Sequence, residues 1–180
     1  MSRIGKKPIE IPDQVRVEIK DRIITVKGPK GELSWSYPER IKVSVNNGNI
    51  QVESDGNSKV DRTLHGLTRS YISNMVVGVS MGYQRVLEIV GIGYKAQVLE
   101  NKIVLSLGYS HPVEFPLPED IIATVDPKQI QITLHGIDKQ KIGHVAASLK
   151  SLKRPDYYKG KGIRYAGERL KLKVGKAGKK

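Results

Sequence analysis

Hydrophobic positions along the first third of the chain recur in short alternations. Val15–Ile19 and Ile23–Val26 place apolar side chains at every second position around a turn at Lys20-Asp21, which predicts a hairpin. Gly28-Pro29-Lys30-Gly31 interrupts the alternation, because neither glycine nor proline continues a strand well. Leu33–Tyr37 alternates again and stops at Pro38. Ile41–Val45 and Ile50–Val52 alternate on either side of the polar turn Asn46-Asn47-Gly48-Asn49. After Ser58, a good N-cap, the period lengthens. Val60, Leu64, Leu67, Tyr71 and Met75 form one stripe of an amphipathic helix expected to face a core.

The second half repeats the first. At an offset of 80, Gly28 falls on Gly108, Trp35 on Phe115, Pro38-Glu39 on Pro118-Glu119 and Ile41 on Ile121. The same offset pairs Ile23 with Ile103, Val45 with Val125, Ile50 with Ile130 and Val52 with Ile132, with no gap. A second helix, with Ile142, Val145, Ala146, Leu149 and Leu152 inward, fits after a shift of about two residues and ends before Pro155. The fold class that follows is α+β: two tandem duplicated domains, each a small, mainly antiparallel β-sheet with one packed α-helix, plus a basic C-terminal tail. Expected boundaries are a basic N-terminal arm over 1–14, a first repeat with its connector over 15–82, a second repeat over 83–153 and the tail over 154–180. Ile9 and Ile11 can pin the arm to the body. A repeat of this size buries little more than half of its unfolded surface, so each copy is a marginal folding unit.

Composition sharpens this picture through charge. The chain carries 31 Lys/Arg against 18 Asp/Glu, a net charge of +13. From Lys150 onward there are 12 cations against Asp156 and Glu168 alone, whereas residues 1–149 hold 19 against 16. The surplus sits in the tail and points to a polyanionic partner. One Trp and one Phe leave the cores to Val, Ile and Leu, and the absence of cysteine excludes disulfides and thiolate metal sites. Lys171-Leu172-Lys173-Val174 is too short for an amphipathic membrane anchor, and no run of 18 apolar residues occurs. Met1-Ser2-Arg3-Ile4-Gly5-Lys6-Lys7 lacks the apolar core of a secretory signal, so a cytosolic location is expected.

Catalysis finds little footing. His65, His111, His135 and His144 lack the spacing or acidic companions of metal ligands, and His65 and His144 are expected on helix flanks. Acids are scattered. Gly91-Ile92-Gly93 opens no helix and reads as a hairpin turn. No cofactor, metal or small-molecule substrate is therefore expected. Gly108-Tyr109-Ser110-His111-Pro112 occupies the turn matching Gly28–Gly31. Ser110 and His111 read there as donors to a nucleic-acid backbone or as a plain connecting turn, because a nucleophile–base pair would need an oriented acid.

The most informative stretch is Lys153–Tyr165. Its five cations, three tyrosines and two glycines enclose almost nothing apolar, so it is expected to need a partner to become ordered. Lys153, Arg154, Lys159, Lys161 and Arg164 offer charge to phosphates, Tyr157 and Tyr158 offer ring faces and hydroxyls, and Gly160 and Gly162 permit close backbone approach. Farther on, Arg169, Lys171 and Lys173 alternate with Leu170, Leu172 and Val174, as in a short strand or a groove-following extension. Both helix stripes look committed to cores, so sequence-specific major-groove reading is not expected.

Pro155-Asp156-Tyr157-Tyr158-Lys159-Gly160-Lys161-Gly162-Ile163-Arg164-Tyr165 resembles the signature of the bacterial large ribosomal subunit protein L6 family, with Asp156-Tyr157 at a variable place in it. Ser2-Arg3-Ile4-Gly5-Lys6-Lys7-Pro8-Ile9 resembles the family's N-terminus. Gly91–Ala96 and Gly108–Pro112 are similar to its second-domain loops. The resemblance covers the whole chain. It implies two similar α+β domains and a non-catalytic structural role in the large subunit. It also implies binding to 23S ribosomal RNA through the second domain and tail, near the factor-binding region and neighbouring proteins of the stalk base, in cytoplasmic or plastid ribosomes. The RNA-facing residues it implies are Lys153, Arg154, Tyr157, Tyr158, Lys159, Gly160, Lys161, Gly162 and Arg164, the same ones that charge and stacking single out. Ser110 and His111 are weaker candidates from the loop. A free-standing nucleic-acid chaperone is the alternative that charge alone supports.

Overall fold

A computed structural model describes residues 2–46 and 48–175, so Asn47 of the predicted turn and the tail beyond Gly175 lie outside the described residues. The chain forms two compact units, residues 1–83 with 137–139 and residues 84–136 with 140–180.

In the first unit, β1 (Ile9–Glu10), β2 (Arg16–Lys20), β3 (Ile23–Gly28), β4 (Gly31–Ser36), β5 (Ile41–Asn46) and β6 (Asn49–Ser54) precede α1 (Lys59–Ser80). They make two antiparallel three-stranded sheets, ordered β2-β3-β4 and β1-β6-β5. The loop joining β2 and β3 is Asp21-Arg22, one residue later than predicted, with both residues at positive φ. Ile9 sits opposite Ile50 and is buried, so the arm contributes a strand. The core joins Ile24 and Val26 of β3, Ile50 and Val52 of β6, and Ile72, Met75, Val76 and Val79 of α1.

Helix α1 begins with a reciprocal capping box, in which Ser58 Oγ accepts from the Asp61 N–H and the Asp61 carboxylate accepts from the Ser58 N–H. That box helps to set its rotation. The buried face begins one residue later than the expected stripe, at Asp61, His65, Thr68 and Ile72, and meets it at Met75; Leu64 and Tyr71 pack half-buried against the core, while Val60 and Leu67 remain exposed. His65 is therefore not on a flank. It is 1% exposed, and its Nε2 lies 2.8 Å from the Val52 carbonyl oxygen, which places a proton on Nε2.

The second unit contains β7 (Tyr83–Val90) from Gln84 onward, β8 (Lys95–Leu99), β9 (Lys102–Ser106), β10 (Val113–Pro116), β11 (Ile121–Val125), β12 (Gln131–Gly136), α2 (Lys139–Leu152) from Gln140 onward and β13 (Gly162–Tyr165). The sheets are β10-β9-β8 and β11-β12-β7-β13. Gly91-Ile92-Gly93 does not close a hairpin, because β7 and β8 belong to different sheets. Helix α2 buries Ile142, Val145, Ala146 and Leu149 as predicted, with Leu152 half-buried and His144 exposed on its flank.

The duplication holds with two slips. Trp35 faces Ile24 across its ladder and Phe115 faces Ile103, so Ile103 matches buried Ile24, not exposed Ile23. Val43 faces Val52 and Ala123 faces Leu134, so Val52 matches Leu134 and Ile50 matches Ile132. The β9–β10 and β11–β12 loops are longer than their first-unit counterparts, and the extra residues move the register without disturbing which side chains are buried. The second unit also has a strand with no counterpart in the first, β13, which comes from the basic tail.

Candidate nucleic-acid interface

Strand β13 answers how Lys153–Tyr165 becomes ordered. The expectation that an external partner is required is incorrect for this segment, because the second unit's own sheet orders it. Gly162, Ile163, Arg164 and Tyr165 lie antiparallel to Val90, Ile89, Glu88 and Leu87, and Ile163 is fully buried. One buried isoleucine and a run of ladder hydrogen bonds supply what the segment's polar composition conceals. The Ile163 N–H also donates to the Lys153 carbonyl (2.8 Å), which ties the strand to the end of α2.

Between α2 and β13 the chain closes a loop over 156–161. The Asp156 N–H donates to the Lys161 carbonyl and the Gly160 N–H to the Asp156 carbonyl, each at 3.0 Å. The Lys159 N–H donates to the Asp156 carboxylate at 2.7 Å. This N–H, against an opposing effect of burial and aided by the N–H groups of Tyr158 and Tyr157, holds the Asp156 carboxyl below its ordinary pKa. The sole acid in the stretch thus serves the turn. The loop presents Arg154, Tyr157, Tyr158 and Lys159 to solvent, with the two tyrosines 68% and 59% exposed.

The glycines do something other than admit phosphate. Both Gly160 and Gly162 are buried. Gly162 has φ +146°, and a Cβ there would lie 2.7 Å from the carbonyl oxygens of both Lys153 and Arg154. Its missing side chain lets two stretches of this chain meet, which corrects the expected reason for the residue. Gly160, at φ +68°, lies beneath Leu170 and Leu172.

Arg164 is half-buried and already paired: its Nε and Nη2 both lie 2.9 Å from Glu88 Oε2. Lys153 and Lys161 are partly covered, and the Lys153 ammonium lies 4.3 Å from the Tyr109 ring centroid. Lys171 and Lys173 are exposed in a segment without ladder pairing, so residues 169–174 form no strand. The Lys173 N–H donates to the Tyr157 carbonyl (2.7 Å), and this folds the extension back onto the 156–161 loop.

Two tyrosines gather the neighbouring loops. The Tyr109 hydroxyl donates to the Leu152 carbonyl at 3.0 Å, which docks the Gly108–Pro112 loop on the end of α2 and leaves Ser110 and His111 exposed nearby. The Tyr94 ring packs against the glycines of two loops, since a Cβ on Gly91 would lie 2.5 Å from it and one on Gly108 3.0 Å. Ile92, at 90% exposed, projects from the first of these. Beneath the tail, Lys150 Nζ bonds both Glu168 oxygens at 2.6 and 2.7 Å and sits 4.7 Å from the Tyr165 ring centroid. That ammonium, and next the Tyr165 N–H, hold the Glu168 carboxyl below its ordinary pKa.

Of the residues proposed from sequence, the structure brings Lys153, Arg154, Tyr157, Tyr158, Lys159, Lys161, Ser110, His111 and Lys173 onto connected loops of the second unit. It withdraws Gly160 and Gly162 into the packing and engages Arg164 with Glu88. Sequence reasoning missed the organisers Asp156, Tyr109, Glu168 and Lys150. Of these, only Asp156 left a local signal, an acid three residues before the N–H it accepts. Chemically, the surface offers exposed cations, two ring faces and hydroxyl and imidazole groups, a set that suits phosphate, base and 2′-hydroxyl contacts. Among the described residues there is no cluster of acids and histidines able to hold a metal ion, and no helix long and apolar enough to cross a membrane.

The family model described as Ribosomal protein L6 matches residues 11–82 and 90–166, one segment in each unit. Among the most similar relatives is the large ribosomal subunit protein uL6 of Thermodesulfovibrio yellowstonii, 59% identical over 180 residues and covering 100% of both chains. Proteins of the same name from Koribacter versatilis and Picosynechococcus are 52% and 49% identical, again over 100% of both chains. With both repeats matched and full-length relatives at this identity, the chain belongs to the Ribosomal protein L6 family.

Proposed function

We propose that the protein is a structural constituent of the large ribosomal subunit, without a catalytic step of its own. It binds large-subunit (23S) ribosomal RNA through the loops and tail of its second unit, in the ribosome of the cytoplasm and near the factor-binding region and neighbouring proteins of the stalk base. The observation that carries this reading is the convergence of Arg154, Tyr157, Tyr158 and Lys159 with the Ser110-His111 loop on a rigid frame built by β13 and α2. The relatives' names support the ribosomal part of it. Because Asp156, Gly162 and Ile163 fix that frame, the cations reach RNA already positioned, and less side-chain and loop ordering opposes binding.

Salt titration of the full chain binding to large-subunit ribosomal RNA tests it. Neutralising about six to eight phosphates gives a slope of log affinity on log salt of roughly −4 to −7. Arg154→Glu and Lys159→Glu are exposed and should weaken binding and flatten that slope. Equal affinity for unrelated RNAs would favour the free-standing chaperone instead. A chain truncated at Leu152 is a poor test, because it removes β13 and leaves the Ile163 site unfilled.

A further inference from the structure

The first unit carries a second, separate concentration of charge. Residues 2–9 and 59–70 hold Arg3, Lys6, Lys7, Lys59, Arg62 and Arg69 against a single acid, Asp61, while the rest of residues 1–83 holds seven cations and eight acids. Asp61 is 5% exposed and committed to the α1 cap, with Arg40 beside it. No carboxylate is therefore exposed on these two segments, whereas Arg3, Lys6, Lys7, Lys59 and Arg62 are.

This array is fixed in place. Arg69 spends its guanidinium on the backbone, Nε to the Lys7 carbonyl (3.1 Å) and Nη2 to the Pro8 carbonyl (3.3 Å). The N–H groups of Lys6 and Lys7 close turns on the carbonyls of Ser2 and Ile4, and the Gly5 N–H donates to Ser2 Oγ at 3.3 Å. Gly5 is buried against the His65 ring so closely that a Cβ would lie 2.4 Å from Cδ2. His65 is itself held by Val52, so the basic segment is anchored to the core. Ser2, Lys59, Arg62 and Thr63 line a concavity of about 450 Å3, with the Thr63 hydroxyl donating to the Lys59 carbonyl at 2.9 Å. In the second unit, by contrast, Lys141 and Lys150 of α2 are occupied by Asp120 and Glu168, so the duplicated copy neutralises part of its helix charge internally.

From this we infer that the anchored segment Ser2–Pro8 and the exposed side of the first half of α1 form a second RNA-backbone contact surface, on the first unit. The inference rests on the ribosomal-RNA reading above. Cations with the Ser2 hydroxyl around a shallow concavity are the donor set that phosphate oxygens require, and the anchoring removes the ordering cost that a loose basic arm would carry.

The test uses the full chain and large-subunit ribosomal RNA over a salt series, comparing the triple variant Arg3→Gln/Lys6→Gln/Lys7→Gln with Lys20→Gln/Lys30→Gln, which removes exposed cations elsewhere on the same unit. The triple variant should flatten the slope by about two, at roughly 0.7 for each phosphate no longer neutralised, and lower affinity severalfold per cation at low salt. The control pair should leave both unchanged. An unchanged slope for the triple variant, while Lys159→Glu still flattens it, overturns the second surface and leaves the first reading standing. No response to either overturns both. Leu67→Ser acting on subunit association with no change in salt slope would assign the surface, with its exposed Ile4, Val60 and Leu67, to an acidic protein and so overturn the RNA inference.

Discussion

Gly162→Ala is the sharpest test of how the basic tail is built. At φ +146° a side chain is strained, and conformations of that kind cost about 1–3 kcal/mol. The added methyl would also stand 2.7 Å from two carbonyl oxygens, of Lys153 and Arg154, and backbone atoms cannot rotate away as a side-chain end can. The alternative is for β13 to peel from β7, which exposes Ile163 and forfeits about 1.5–3 kcal/mol of burial together with its ladder bonds. Whichever route is cheaper, the expected loss is about 2–4 kcal/mol, a large part of a small unit's stability. Urea unfolding followed by far-UV circular dichroism reads the loss, and hydrogen exchange at the β7 and β13 amides shows which route is taken. Ile163→Ala should cost a similar amount, about 2–5 kcal/mol, with the charge of the tail unchanged. A Gly162→Ala protein within about 0.5 kcal/mol of the parent, with those amides still protected, would refute the claim that the glycine exists to let the two stretches meet.

Glu168→Gln should cost below about 1 kcal/mol, because the Lys150 pair remains partly solvated. Its carboxyl pKa is lowered on folding, so this contribution is complete above the unfolded value and fades as pH falls through the lower folded one. A urea midpoint whose acid dependence is identical in parent and variant would contradict it. Gly5→Ala drives a methyl into the His65 ring and should cost about 1–3 kcal/mol by overpacking, read by thermal unfolding; no loss would mean that the N-terminal segment is not anchored there. Lys159→Glu should lower the melting temperature only slightly while clearly weakening RNA binding, since the residue holds Asp156 chiefly through its N–H and only secondarily through its exposed ammonium. A large drop in melting temperature at unchanged affinity would reverse that assignment.

Strands of the first half were legible in the sequence because each alternates over a half-buried sheet, and the duplication was legible because buried positions recur. The phase of α1 was not. Its buried face begins with Asp61, His65 and Thr68, which a hydrophobicity pattern counts as polar, while Val60 and Leu67 advertise the wrong side. The cap and Arg40 make Asp61 acceptable inside and the Val52 carbonyl does so for His65, and none of these is visible without the fold. Strand β13 was hidden for the opposite reason: a segment with a single buried aliphatic has no period to detect. The exposed part of the candidate interface could be read from residue type, because cations and tyrosines with little apolar company remain at the surface. Which of them are already spent could not, since Glu88 lies 76 residues from Arg164 and Glu168 reaches Lys150 across a turn of tertiary structure.

The tail's double role links folding to binding. Arg154, Tyr157 and Lys159 sit in the segment that β13 closes, so their arrangement exists only while the strand is docked. RNA that engages the docked form must stabilise it, by about 2.7 kcal/mol at a hundredfold excess over Kd. The converse follows for Gly162→Ala. If the strand spends most of its time detached in the free protein, apparent affinity falls by the docked fraction, and each ~1.4 kcal/mol by which detachment is favoured costs tenfold. No charge has changed, so the salt slope should stay where it was while the whole line drops. That pattern separates a lost frame from a lost cation, which tilts the line. Measuring affinity and slope together for Gly162→Ala and Lys159→Glu checks the argument. Unaltered affinity in Gly162→Ala, at β7 amides shown by exchange to be unprotected, would mean that RNA does not require the loop in its docked form.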